Sequence, residues 1–73
     1  MPSFSYRDLV HKLKKIGFTF LRQAKGSHEF WQHPNTKQIV LIARHKKDFP
    51  TGTISKIAKE LGFKNLKDFE NFK

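Results

Sequence analysis

The sequence predicts an α+β fold, a two-layer sandwich in which helices pack on one face of a three-stranded antiparallel sheet. Three observations predict it: an apolar helical period near the N-terminus, three short strand-like runs joined by brief polar turns, and a second helical period after residue 50. At 73 residues the chain has room for one domain, residues 1–73, with one modest core. Eight Phe, one Trp and one Tyr supply the large buried areas that such a core needs.

The first helix is expected from about residue 5 to residue 15. Ser5 is a suitable N-cap, and Asp8 stands three residues later at the spacing of a capping box. Gly17 is expected to end the helix in the left-handed conformation. The apolar positions that share one face of this helix are Tyr6, Leu9, Val10, Leu13 and Ile16.

Three strands are expected at residues 18–23, 28–33 and 38–43. Lys25-Gly26-Ser27 and Pro34-Asn35-Thr36 supply the turns, and links this short favour an antiparallel meander. The third strand is a continuous apolar run, so we expect it to be buried on both faces, or central in the sheet.

A second helix is expected from residue 50 or 51 to residue 61, with Gly62 after its last turn. A short amphipathic helix should follow at the C-terminus. The predicted inner positions of these two segments are Ile54, Ile57, Ala58 and Leu61, then Leu66, Phe69 and Phe72.

The net charge of +9 is the strongest compositional signal. Fifteen Lys and Arg face six Asp and Glu, and self-repulsion on so small a domain favours a polyanionic partner. Nucleic acid or an acidic protein is the favoured partner, ahead of a merely solubilising surface or binding to acidic membrane lipid. The chain has no cysteine, no signal-peptide pattern and no apolar run long enough to cross a membrane. We therefore expect a cytoplasmic protein without a membrane partner.

The segment Lys25-Gly26-Ser27-His28 has the composition of a site that cleaves RNA. Gly26 permits a sharp turn and a close approach of another chain. The imidazole of His28 can move a proton near neutral pH, while Lys25 and Arg22 bring positive charge for the phosphate. The competing interpretation is that His28 is a partly buried structural residue at a strand end.

The other aromatic and imidazole side chains give weaker signals. Strand alternation places His28 and His33 on opposite faces, and His45 lies in a loop, so neither a metal site nor a cofactor is expected. Trp31 shares a face with Glu29. It is expected either to stack on a base, to cover the core or to cover an apolar patch of a partner.

Five segments stand in an order and spacing that are specific only in combination. They are YRDLVHKLKKIGF (residues 6–18), Arg22-Gln23, Lys25-Gly26-Ser27-His28, Arg44-His45 and PTGTISKI (residues 50–57). Together, over about residues 5–63, they resemble the HicA family of toxins.

The resemblance implies a fold like the double-stranded-RNA-binding domain and a metal-independent endoribonuclease that cleaves messenger RNA. It also implies inhibition by an antitoxin of the HicB family. The family's catalytic histidine corresponds to His28, and its adjoining glycine to Gly26. The RNA contacts expected around them are Arg22, Lys25, Gly26, Ser27 and Arg44, and the acid or base that assists His28 is expected among Lys25, Ser27 and Arg22.

Two positions depart from the family pattern. Glu29 stands where many members have a second histidine, and a carboxylate there is expected to favour the charged form of His28 or to weaken RNA binding locally. Ala43 stands where many members have proline. The tail, residues 64–73, lies outside the shared core of residues 5–63.

Two other functions remain open at this point. Charge and fold alone would suffice for an RNA-binding module without catalysis. Residues 54–63 also have the pattern of the first helix and turn of a DNA-binding helix-turn-helix, although Leu66, Phe69 and Phe72 in the following segment are needed by the core.

Overall fold

A computed structural model describes residues 4–44 and 48–72, and it confirms the α+β class and the order of the elements. One helix is followed by three strands and two further helices. None of the helices in the described ranges is long and apolar enough to span a membrane. The elements are α1 Tyr6–Ile16, β1 Thr19–Gln23, β2 His28–Gln32, β3 Ile39–Ala43, α2 Thr51–Glu60 and α3 Leu66–Asn71.

The ends of α1 form as the sequence predicts. Ser5 accepts a hydrogen bond from the backbone N–H of Asp8, while the Asp8 carboxylate accepts one from the backbone N–H of Ser5. Gly17 ends the helix with φ at 120°. The positive φ favours glycine, and a Cβ at this position would also meet Nε2 of His33 at 2.7 Å, so the His33 ring would have to shift.

The sheet is an antiparallel meander in the order β1-β2-β3. His28 of β2 lies opposite Ala43 of β3, and Phe30 lies opposite Leu41. On the other side of β2, the pairing with β1 shifts register between Phe20 and Arg22. The central strand is therefore β2.

The expectation that the third strand is central or buried on both faces was wrong, because β3 is an edge strand. Val40 and Ile42 are buried at 2% exposure, whereas Ile39 and Leu41 are 50% and 49% exposed. A continuous apolar run is ambiguous, since it fits either a doubly covered strand or an edge strand with one apolar face in solvent.

One hydrophobic core lies between the helices and one face of the sheet. The opposite face, which carries His28, Phe30 and Leu41, has no helix packed on it among the described elements. The buried hydrophobic residues are Phe4, Leu9, Leu13, Phe18, Trp31, Val40, Ile42, Phe49, Ile54, Ile57, Ala58 and Phe69.

The C-terminal helix α3 contributes directly to this core. Phe69 is fully buried, with its ring centroid 5.5 Å from that of Phe4 and 5.3 Å from that of Phe63. Asn65 caps the helix by accepting from the N–H of Asp68 at 2.9 Å. The segment after residue 63 thus closes one side of the domain.

Candidate active site

His28 opens β2 and is exposed on the face of the sheet that the helices leave uncovered. Its Nδ1 lies 3.3 Å from the carbonyl oxygen of Lys25. A carbonyl oxygen can only accept, so Nδ1 is the donor when this hydrogen bond forms, and Nε2 is then the nitrogen that can carry the lone pair. Such a ring is oriented to accept a proton from a bound molecule.

The turn before His28 is held by its own hydrogen bonds. Gly26 adopts φ at 69°, and, its two chain neighbours apart, no atom of the described residues lies within 4 Å of the position that its Cβ would occupy. The side-chain amide of Gln23 donates to the Gly26 carbonyl at 3.1 Å, and the N–H of Ala24 donates to the His28 carbonyl at 2.8 Å. Glycine here supports a left-handed turn with open space above it.

The turn and the end of β3 together form a shallow pocket around His28. The N–H of Arg44 donates to the Ser27 carbonyl at 2.9 Å and fixes the end of β3 beside the turn. The residues that line this pocket are Lys25, Gly26, Ser27, His28, Ala43 and Arg44. Five of the predicted site residues therefore come together.

Arg22, the remaining predicted site residue, lies on the same face but outside this pocket. It pairs with Phe30 across the β1–β2 ladder, and its guanidinium carbon lies 4.4 Å from the centroid of the Phe30 ring. Phe30 is two residues from His28 along β2 and shares its face. Arg22 thus extends the positive charge along the open face.

Glu29 is adjacent to His28 in sequence but points to the opposite face of the sheet. Its side chain is 4% exposed, and Oε1 accepts from the hydroxyl of Tyr6 at 2.7 Å and from the indole N–H of Trp31 at 3.0 Å. The carboxylate is therefore directed into the core and not toward the pocket. Trp31 is itself only 4% exposed, so covering the core was the correct interpretation and base stacking was wrong.

Tyr6 connects this buried carboxylate with the edge of the pocket. The guanidinium carbon of Arg44 lies 5.3 Å from the centroid of the Tyr6 ring. Burial, reinforced by the hydrogen bond to Glu29 and by its negative charge, raises the pKa of Tyr6 to about 12, while the charge of Arg44 acts in the opposite direction.

The remaining histidines show no metal-binding arrangement in the parts of the chain that the structure describes. Nδ1 of His33 accepts from the N–H groups of Asn35 and Thr36, at 3.2 and 3.4 Å, and its ring meets Phe18 edge-on. Within residues 4–44 and 48–72, no three His, Asp or Glu side chains come close enough to hold a metal ion. His45 lies outside the described residues.

The contacts of Tyr6 and Glu29 were not foreseen. Alternation along β2 correctly places Glu29 and Trp31 on one face, but it does not indicate which helix residue meets the carboxylate. Tyr6 and Glu29 are separated by 23 positions in the chain, and only the packing of α1 on the sheet brings them together.

Fold and site define a small basic α+β domain that presents one histidine among cations on an open sheet face. The family model for the HicA toxin of bacterial toxin–antitoxin systems matches residues 6–63. The chain therefore belongs to the HicA toxin family, which supports a toxin role and a partner antitoxin. No curated protein and no solved structure is similar enough to match.

Tyr6 is the single tyrosine of the chain, so its raised pKa is directly measurable. Because the phenol is protonated more strongly in the folded chain, tyrosinate absorbance should rise with a midpoint near pH 12, not near 10. The same preference predicts a stability contribution that is complete below pH 10 and is lost as the pH rises through 12.

Glu29→Gln should lower the midpoint of the tyrosinate titration, because it removes the negative charge beside the phenol. Trp31→Phe is the matched control, since it deletes the other donor to the same carboxylate and leaves that charge in place. A midpoint at the ordinary tyrosine value in the folded wild-type protein would contradict the hydrogen bond from Tyr6 to Glu29.

Proposed function

We propose that this protein is a metal-independent endoribonuclease that cuts messenger RNA in the cytoplasm, with His28 as its catalytic side chain. The observation that carries the proposal is the exposed His28 ring, whose Nδ1 faces a carbonyl oxygen at 3.3 Å within a pocket shared with Lys25 and Arg44. An exposed imidazole in a pocket with cationic residues is an arrangement that suits phosphodiester cleavage.

In the proposed reaction, Nε2 of His28 takes the proton of a ribose 2′-hydroxyl as the 2′ oxygen attacks the adjacent phosphorus. A bond forms between the 2′ oxygen and phosphorus, and the bond from phosphorus to the 5′ oxygen of the next nucleotide breaks. The products are a 2′,3′-cyclic phosphate end and a 5′-hydroxyl end. Lys25 and Ser27, in the same pocket, are the candidates to donate a proton to the leaving oxygen.

Arg22 and Arg44 have a different role in this proposal. A guanidinium does not give up its proton in proteins, so neither arginine is an acid in the reaction. Both are suited to phosphate contacts, Arg44 in the pocket and Arg22 on the same sheet face above Phe30. The net charge of +9 favours RNA binding through the phosphate backbone.

The helix-turn-helix alternative fits the structure poorly. The helix that follows α2 has six residues, Leu66–Asn71, and its Phe69 is fully buried. A recognition helix presents several side chains along the DNA groove, whereas α3 is shorter than two turns and directs Phe69 into the core. The non-catalytic RNA-binding module remains the competing function, and it is separated from the nuclease by assay.

His28→Ala should abolish cleavage of single-stranded RNA in the presence of a chelator. We expect a loss of about 100-fold to 10,000-fold in the cleavage rate, with folding and RNA binding retained. His11→Ala is the matched control, because His11 is an exposed imidazole on α1 outside the pocket. The measurement is the single-turnover rate on a labelled RNA, with thermal unfolding followed in parallel.

An unchanged rate in His28→Ala would remove this residue from the mechanism. RNA binding by wild-type protein without cleavage, even at high protein concentration, would establish the non-catalytic module instead.

We also propose that a HicB-type antitoxin of acidic character covers the pocket. Its contact surface would join the charges of Arg22, Lys25 and Arg44 to the exposed apolar side chains of Ile39 and Leu41 on β3. Since Ala43 of β3 lies opposite His28, these side chains flank the site on the same open face. Apolar contact combined with complementary charge is typical of specific protein interfaces.

Leu41→Asn should weaken binding of a HicB-type antitoxin about tenfold or more, because it removes apolar contact beside the pocket. Phe20→Asn is the matched control, since Phe20 is 51% exposed on the opposite edge strand. Calorimetric titration at two salt concentrations should also show weaker binding at the higher one. Full RNA cleavage by the saturated complex would contradict occlusion of His28.

A further inference from the structure

Arg44 lines the pocket, and its side chain contacts the ring of Tyr6. It is the first residue after β3, and its backbone N–H is fixed to the Ser27 carbonyl at 2.9 Å. Its guanidinium carbon lies 5.3 Å from the centroid of the Tyr6 ring. A guanidinium that is attracted to a ring face by its charge keeps N–H donors that can bind an anion.

The Tyr6 ring is itself held in place by a buried acid. Its hydroxyl donates to Oε1 of Glu29 at 2.7 Å, and the indole of Trp31 donates to the same oxygen at 3.0 Å. Glu29 is the only buried charged side chain among the described residues. Two neutral donors therefore fix the carboxylate, and the carboxylate fixes the phenol.

The position of the carboxylate also matters for charge. Placed directly against Arg44, it would occupy the guanidinium donors in an ion pair. Held behind the Tyr6 ring on the inner side of the sheet, Glu29 orients the platform without taking those donors. A buried carboxylate is costly to desolvate, and the hydrogen bonds from Tyr6 and Trp31 offset that cost here.

We propose that Tyr6 and Glu29 are positioning residues that hold the Arg44 guanidinium at the edge of the pocket that Arg44 and His28 both line, ready to bind a phosphate of the RNA. This proposal rests on the proposed nuclease function and adds two residues that support its pocket. Preorganising the cation spares the ordering of a long flexible side chain when RNA binds.

The test is a double-mutant cycle of Tyr6→Phe and Arg44→Lys in the full-length protein, with single-turnover cleavage measured at saturating RNA. Tyr6→Phe keeps the ring but releases it from Glu29, and we expect the rate to fall on the order of tenfold to 100-fold. Arg44→Lys keeps the positive charge but replaces the planar guanidinium, and the cleavage rate of this variant should fall similarly. The double variant should cleave no more slowly than Arg44→Lys alone, because both changes disrupt the same contact between Tyr6 and the Arg44 guanidinium.

Asn65→Ala is the matched control for a merely structural effect. It removes the side chain that caps α3 by accepting from the N–H of Asp68, and it leaves the contacts between Glu29, Tyr6 and Arg44 intact. We expect it to lower the unfolding temperature while the cleavage rate at saturation stays close to that of wild type. Equal losses in Asn65→Ala and Tyr6→Phe, or multiplicative losses in the cycle, would overturn the proposal.

A second readout separates this proposal from the nuclease assignment. The same cycle is repeated in the His28→Ala background, with the dissociation constant for a single-stranded RNA as the measured quantity. Tyr6→Phe should weaken binding when residue 44 is arginine and have little effect when it is lysine. Coupling in binding without any wild-type cleavage would refute the nuclease and keep the positioning role, whereas absence of coupling in both assays would refute the positioning role.

Discussion

The site depends on the pairing of β2 with a strand on each side. Alternation along this strand sends Glu29 inward and His28 outward, and the ladders to β1 and β3 fix which residues are their neighbours. A slip of one residue would bury the imidazole and expose the carboxylate, so the hydrophobic pattern that sets the register also sets the chemistry. The Trp31 indole, which is inward like Glu29, strengthens this choice because it both fills the core and satisfies the acid.

Much of the fold could be predicted because local signals agree with the global arrangement. Ser5, Asp8 and Gly17 determine the ends of α1 through contacts with near neighbours, and such local contacts can be predicted from the sequence. The position of β3 at the edge of the sheet could not be predicted from the sequence. Its run of Ile39–Ala43 lacks polar alternation, so the sequence does not reveal that Ile39 and Leu41 face solvent at a sheet edge.

The candidate site divides in the same way. The segment from Lys25 to His28 is contiguous, so its turn could be predicted, and the resemblance to a family added Arg44. Glu29 was expected to act on His28 because the two residues are adjacent in sequence. Neighbouring strand residues point to opposite faces, so its carboxylate lies away from the pocket. Its partner Tyr6 depends on how α1 lies across the sheet, and no local pattern encodes that contact.

Activation of a ribose 2′-hydroxyl by Nε2 of His28 is tested most directly by the chemistry of the cut ends. Wild-type protein is incubated in chelator with a single-stranded RNA and with the same sequence carrying 2′-O-methyl groups. We predict cleavage of the unmodified RNA only, leaving 2′,3′-cyclic phosphate and 5′-hydroxyl ends. Cleavage of the methylated strand, or products that carry a 5′-phosphate, would contradict this role of His28.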